Sequence, residues 1–532
     1  MNFQSIRNFF YQKVSRYDIV FAVILIVATL VRMYFFDYPL AESGGEGSKD
    51  YLIARHIIKY GEFPLTGTGM LLSPHLSSPL YYYFLSLFLL IKDSILFLAG
   101  IFVFFQIFTI ALVYFITKNI SHQSALIATL FLAFSAPMVL VSSDIWPNYV
   151  MQLFVNIGFF LLLLSWIKKN YYLLLGALFF ATLAFIIHNS AFAVLPFFIL
   201  LSIYILKHQK RGPLHYIGGV SVILATIVLS YAPVFVYMFQ RNLLGEILTP
   251  FLNNGARETV FIGSFSDFFL NITEVATWFS HTFSLSAFST YFSSLNWNIT
   301  LPLIVFSTLI YFLQKKSVSK KYIGIIALFV LQQFIFISLF NEPRIWLYLL
   351  PVLILSAILI AEVINSVFSK SAILVFFKIL FIVIFLQTAM ANLHLFSGQQ
   401  MFLKNMHTLA SATDALRKEI LQIKHNEGFE DVDFFQIRSF RTKNLPVENA
   451  VLWVPLEKIL ERKFTKVEGE GVGYTQLNSD TYIFLACYDQ GGAVYDKTTC
   501  KTHFLDAHRE YRIREKEVFS GQGLSIYKAK RE

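Results

Sequence analysis

The sequence predicts a polytopic α-helical membrane protein of about eleven transmembrane helices, followed by a C-terminal extracytoplasmic α/β domain. Three observations predict it. Of 532 residues, 56% are hydrophobic and 14% charged, with mean hydropathy +0.60, far too little charge to cover a soluble protein. The apolar residues gather in runs long enough to cross a bilayer, which takes about 20 residues each. The loops between those runs alternate in charge. Arg7, Lys13, Arg16, Lys118, Lys168, Lys169, Lys207, Lys210, Arg211, Lys315, Lys316, Lys320, Lys321 and Lys370 form one set. Glu46, Asp50, Asp144, His188, Glu342 and Arg344 form the other. The positive-inside rule puts the first set in the cytoplasm and the second outside.

The predicted spans lie near 17–36, 95–117, 122–142, 148–167, 171–187, 190–206, 215–238, 299–314, 322–340, 345–367 and 371–393. The first follows a basic N-terminus, as a signal peptide would. Its full span length and the lack of a small-residue cleavage pattern make it an uncleaved helix. The segment 79–91, PLYYYFLSLFLLI, reaches only about 20 Å as a helix. Were it a span, every basic loop after it would change sides relative to the basic N-terminus. As a surface or re-entrant helix it keeps all of them inside, with the N-terminus cytoplasmic and the C-terminus outside. The expected location is therefore the cell (plasma or inner) membrane.

Residues 1–395 thus form a membrane domain with a first outer loop at about 37–94 and a second at about 239–298. Within the first, YLIARHIIKYG reads as an amphipathic helix stopped at Gly61. Residues 396–532 change character and carry many charges. There ATDALRKEILQIK and part of VLWVPLEKILERKF read as helices, and VDFFQIRSF and DTYIFLACY as strands. YRIREKEVF and LSIYKAK, joined through Ser-Gly-Gln-Gly, read as a closing hairpin. Cys487 and Cys500 both lie in this region. A disulfide or two unpaired thiols are both open, since sequence does not give their separation. The net charge of +10 resides in short loops between apolar runs, with no basic stripe or motif that would point to nucleic acid. The 58 phenylalanines suit lipid-facing surfaces, so membrane lipids are the expected surroundings.

Four outer segments carry groups able to do chemistry. Glu46 and Asp50 are four residues apart and would share a helix face, where they could hold a divalent cation or raise one another's pKa. A carboxylate there could also serve as general base toward a hydroxyl. Acids favoured by a helix N-terminus are the plain structural alternative. In SSDIWPNYV, Asp144 and Asn148 flank Trp146-Pro147, which equally fits an ordinary helix start at the membrane boundary. His188 interrupts an apolar stretch, as groups facing a bundle interior do, or as a simple turn between spans does. Arg344 offers a planar fork for phosphate oxygens, or pairs with Glu342 in a tight turn. Together these place acid, imidazole, amide and guanidinium groups at one membrane surface. That combination suits chemistry on a phosphorylated lipid.

The arrangement resembles the GT-C fold glycosyltransferases, in particular the protein O-mannosyltransferase and lipid A aminoarabinose transferase group (family 39-like). The pieces that carry the resemblance are the early acid Glu46, Ala54-Arg55, and Pro79-Leu80-Tyr81-Tyr82 at the entry to the surface helix. It covers roughly residues 15–395. Arg344 through Tyr348 and Pro351 echo an Arg-Tyr-x-x-Pro pattern, and Asp144 to Asn148 loosely match a second acidic motif. Glu46 stands where the family has Asp, with Asp50 its nearest substitute. Ser78-Pro79 replaces a Lys-Pro whose lysine contacts donor phosphate, leaving His75 as the nearby basic group; His188 stands where a second lysine often falls. The chain therefore resembles a divergent member.

The resemblance implies transfer of a sugar from a polyprenyl-phosphate donor to an extracytoplasmic acceptor, a protein hydroxyl, lipid or cell-envelope glycan, with inversion. Glu46 and Asp50 would be catalytic, Arg344, His188 and His75 would bind donor phosphate, and Asp144 and Asn148 would support them. Glu46 and Asp144 could hold Mg²⁺ or Mn²⁺. The rival expectation is a transporter or a lipid or oligosaccharide flippase.

Overall fold

The computed structural model describes residues 15–34, 36, 46–67, 77–135, 138–139, 142–188, 191, 194–241, 271 and 318–338, isolated helical positions between 357 and 422, and strands at 436–438, 482–488, 511–521 and 524–531. The helices are α1 (Arg16–Tyr34), α2 (Glu46–Tyr60), α3 (Leu80–Leu89), α4 (Ile95–Lys118), α5 (His122–Phe134), α6 (Pro147–Lys168), α7 (Tyr171–Ile187), α8 (Val194–His208), α9 (Pro213–Arg241) and α10 (Val318–Ser338). Among the described residues, α1, α4, α6 and α9 are long and apolar enough to cross a membrane.

Local chemistry sets the boundaries. The Ser94, Ser121 and Asn170 side chains accept from the backbone N–H groups of Phe97, Ser124 and Tyr172, so α4, α5 and α7 start at N-caps. Pro147 opens α6, where its missing N–H costs nothing. Gly61 takes φ +66° just beyond α2, the left-handed stop that the sequence predicts there. Helix α3 spans ten residues, about 15 Å, too short to cross the hydrocarbon core. The predicted span 122–142 differs from what is found. Helix α5 ends at Phe134 and Ser135 turns out with ψ 115°, two residues before Pro137, a neighbourhood that disfavours helical backbone. The span at 190–206 begins later, at Val194, and α9 runs to Arg241, just into the expected second outer loop. The span 299–314 and, apart from Asn271, the rest of that loop lie outside the described residues. Of the spans 345–367 and 371–393 only isolated helical positions are described.

The chain divides into two compact units. The first holds residues 1–36 and 54–394. Its centre is the α6–α7 pair, with α4 and α9 against it. The two helices approach closely at Gly158. A Cβ there would come 3.1 Å from Phe198 Cε1 and 3.2 Å from the Ala177 carbonyl oxygen. Phe329 of α10 meets Phe159 with ring centroids 5.9 Å apart, which brings α10 to the same layer. At the basic end, Asp18 of α1 accepts from Tyr114 Oη at 2.8 Å and pairs with Lys118 at 2.5 Å, while Phe21 stacks on Tyr114.

The second unit holds residues 37–53 together with 395–532. Its four strands, β1 (Gln436–Arg438), β2 (Tyr482–Tyr488), β3 (Tyr511–Gly521) and β4 (Leu524–Arg531), form one sheet in the order β1-β2-β4-β3. β1 runs parallel to β2, and β3 and β4 pair as an antiparallel hairpin whose register shifts between Ile513 and Phe519. The helix predicted in VLWVPLEKILERKF lies outside the described residues, and the one in ATDALRKEILQIK shows only isolated helical positions.

Candidate active site

Helix α2 begins at Glu46, and Asp50 follows one turn later, so the two positions share a helix face as the spacing predicts. Asp50 is buried, 2% exposed, and Tyr51 beside it is fully enclosed. The C-terminal half of α2 is fixed by an ion pair. Arg55, 1% exposed, donates from Nε to both oxygens of Asp93, at 3.2 and 3.0 Å. Asp93 precedes α4, so this pair clamps α2 to the α3–α4 connection.

The described residues after α2 are held by close backbone approaches. Tyr83 Oη of α3 donates to the Pro64 carbonyl at 2.6 Å, and Gly67 N donates to the Ser77 carbonyl at 2.7 Å. A Cβ at Gly67 would collide with the Ser78 carbonyl oxygen. Ser78, standing where the resemblance led us to look for a lysine, has a structural task. Its hydroxyl accepts from Leu80 N and donates 2.7 Å to the Ser230 carbonyl in α9. That carbonyl lies three residues before Pro233, where proline disturbs helical hydrogen bonding.

The second acidic segment lies between α5 and α6 in the chain. Ser143 Oγ donates 2.6 Å to the Phe36 carbonyl, joining the end of α1 to the turn before α6. Asp144 is 6% exposed and Asn148 is fully buried one turn later. Neither polar atom of the Asn148 amide has a hydrogen-bond partner among the described residues. The series continues at helical spacing: Gln152 and Asn156 are also fully buried. Gln106 of α4 donates to Gln152 Oε1 at 3.3 Å, and Asn156 Nδ2 donates to the Gln152 carbonyl. A polar row therefore descends from Asp144 into the bundle. Its signal in the sequence is the four-residue spacing of Asp144, Asn148, Gln152 and Asn156, of which sequence reasoning took only the first two.

Arg32 is the other group that sequence reasoning missed. It lies inside the first apolar run yet is fully buried. Its guanidinium donates to the carbonyls of Ala28, Ala133 and Leu132 at 3.2, 2.9 and 3.0 Å. The last two are the closing carbonyls of α5, the negative end of that helix. Nε has no partner among the described residues. A charge inside an apolar span was the available signal.

His188 is the C-cap of α7, donating its N–H to the Ala184 carbonyl and accepting from Ala191 N. Burial holds the imidazole well below its ordinary value, so it is neutral at pH 7. Arg344, His75 and Cys500 lie outside the described residues, as do the side chains of Glu46 and Cys487. Among the described residues no three His, Cys, Asp or Glu side chains gather to hold a metal ion.

No protein-family model matches the chain, and no curated protein matches it. A solved structure does: ArnT from Cupriavidus metallidurans, bound to undecaprenyl phosphate. The two share 12% sequence identity, with a TM-score of 0.56 over 95% of this chain and 97% of that one. At that identity the likeness is one of fold: the chain has the GT-C fold, over nearly its full length.

Proposed function

We propose that this protein is an integral-membrane glycosyltransferase that moves a sugar from a polyprenyl-phosphate donor to an extracytoplasmic acceptor. The observation that carries this reading is the fold, shared along 95% of the chain with a protein that holds undecaprenyl phosphate. The acids at the start of α2 supply the chemistry. Glu46 takes the proton of an acceptor hydroxyl as its oxygen attacks the anomeric carbon. The bond from that carbon to the phosphate oxygen breaks, and polyprenyl phosphate departs carrying the electron pair. A single displacement inverts the anomeric centre. Asp50, buried one turn away, is the second acid and the nearest substitute for the base. Arg344 and His75 neutralise and His188 hydrogen-bonds the leaving phosphate.

Asp144 and Asn148 form a second acidic motif, and residues 396–532 act as an outer α/β domain that positions the acceptor. The protein is a multi-pass protein of the cytoplasmic membrane with its N-terminus inside. One observation favours a transporter or flippase instead: the polar row from Asp144 to Asn156 inside the bundle, since transporters place polar groups near the bilayer midplane.

The reading is tested by binding. Undecaprenyl phosphate added to the purified protein raises its melting temperature, and undecanol-length or phosphate-free polyprenols do not. Equal stabilisation by phosphate-free polyprenol would remove the phosphate-recognition part of the proposal.

A further inference from the structure

At the basic end of the first unit, two loops far apart in sequence are tied together. Arg211, which follows α8, donates from Nη2 to the Lys169 carbonyl after α6 at 2.9 Å. Gln209 Nε2 donates to the Ser165 carbonyl at 3.3 Å, and Tyr171 Oη donates to the His215 carbonyl at 2.8 Å. These bonds collect Lys168, Lys169, Lys207, Lys210 and Arg211 into one patch, with the four lysines exposed.

Two of these lysines adopt a conformation that their residue type disfavours. Lys169 has φ 50° and Lys210 has φ 54°, and they are the only described non-glycine residues at positive φ. Glycine or asparagine is the usual residue at such helix ends. A lysine at both costs backbone energy that a glycine would not. Aromatic rings border the same patch. Trp166 packs edge-on against Tyr204 and His208, with centroids 5.7 and 6.5 Å away, while Tyr172 is 80% exposed. Aromatic residues flanking basic loops at helix ends mark the level of lipid headgroups. The positive-inside rule accounts for charge on this side, but not for interloop bonds that gather it or for lysine at left-handed positions.

We infer that the α6–α7 and α8–α9 loops form a binding site for an anionic phospholipid headgroup, separate from the outer acids and from the proposed donor. The lysines and Arg211 would neutralise headgroup phosphate, and Trp166, Tyr204 and Tyr172 would lie along the glycerol and upper acyl region. Charges from two loops suit a headgroup with two phosphates better than one.

The test compares the wild type with a Lys168→Gln, Lys169→Asn, Lys210→Asn variant in zwitterionic nanodiscs titrated with cardiolipin. Lipid retention is read by native mass spectrometry and stability by melting temperature. Asparagine tolerates the left-handed backbone, so in zwitterionic lipid the variant should melt no lower than the wild type. Its apparent affinity for cardiolipin should fall roughly a hundred-fold, since each basic charge is worth about a factor of five at an anionic surface. Phosphatidylglycerol should bind the wild type more weakly, and inorganic phosphate or polyphosphate should not compete. Unchanged cardiolipin affinity in the variant would overturn the proposal. So would competition by polyphosphate at equal charge, which would make the patch a soluble-anion site. A variant that melts lower in zwitterionic lipid is replaced by Lys169→Gly, Lys210→Gly, which removes two charges with no left-handed penalty; its affinity should fall about 25-fold, and an unchanged affinity would overturn the proposal.

Discussion

Glu46→Gln lowers sugar transfer by about two to four orders of magnitude, the usual contribution of a general base. The amide keeps the length and shape of the side chain but cannot accept the acceptor's proton. Asp50→Asn gives a smaller loss, because it removes the supporting acid rather than the base itself. The measurement is transfer from a polyprenyl-phosphate sugar in membranes at matched protein levels, followed across pH. If both variants retain full activity, the acids at the start of α2 have no part in the chemistry.

Asp93→Asn is the substitution expected to damage the structure most. Arg55 is almost wholly enclosed, and the Asp93 carboxylate meets it at 3.0 Å while remaining 28% exposed. Removing one partner of a buried pair costs about 3–5 kcal/mol, and the partial exposure of Asp93 brings this to about 2–3 kcal/mol. The position of α2 depends on that clamp, so transfer should fall together with the melting temperature. Arg55→Lys should recover only part of both, since an ammonium cannot reproduce the planar guanidinium. A melting temperature unchanged by Asp93→Asn would show that the pair does not hold α2.

Much of this architecture was legible in the sequence because local rules decide it. N-caps at Ser94, Ser121 and Asn170 and a proline at the start of α6 set helix boundaries that apolar runs alone would blur. Gly61 marks the end of α2 for the same kind of reason, and the terminal hairpin follows from two strand-like runs around a short turn. The short α3 was legible in the length of its apolar run and in the charge parity of the loops.

What was not legible depends on neighbours. Arg32 reads as a lone charge in an apolar run until α5 supplies the carbonyls it caps. Gln152 and Asn156 look like scattered polar residues in a span until Gln106 arrives from α4. Ser78 looked like a missing lysine, and its bond to the Ser230 carbonyl needs the far end of α9. The break after Phe134 was written in Pro137, but hydropathy across 122–142 concealed it. The fold therefore followed from periodicity and caps, whereas the site was visible only as residue types awaiting tertiary partners.

The most direct test of the account separates transfer from transport in one preparation. Purified protein in liposomes is given a polyprenyl-phosphate sugar labelled in the sugar, with envelope glycan, lipid and protein acceptors supplied outside. The account predicts that label moves onto an acceptor with inverted anomeric configuration, and that free polyprenyl phosphate appears in equal amount. Label that crosses the bilayer still joined to its polyprenyl phosphate, with none on any acceptor, would contradict it and make the polar row beneath Asp144 a transport path.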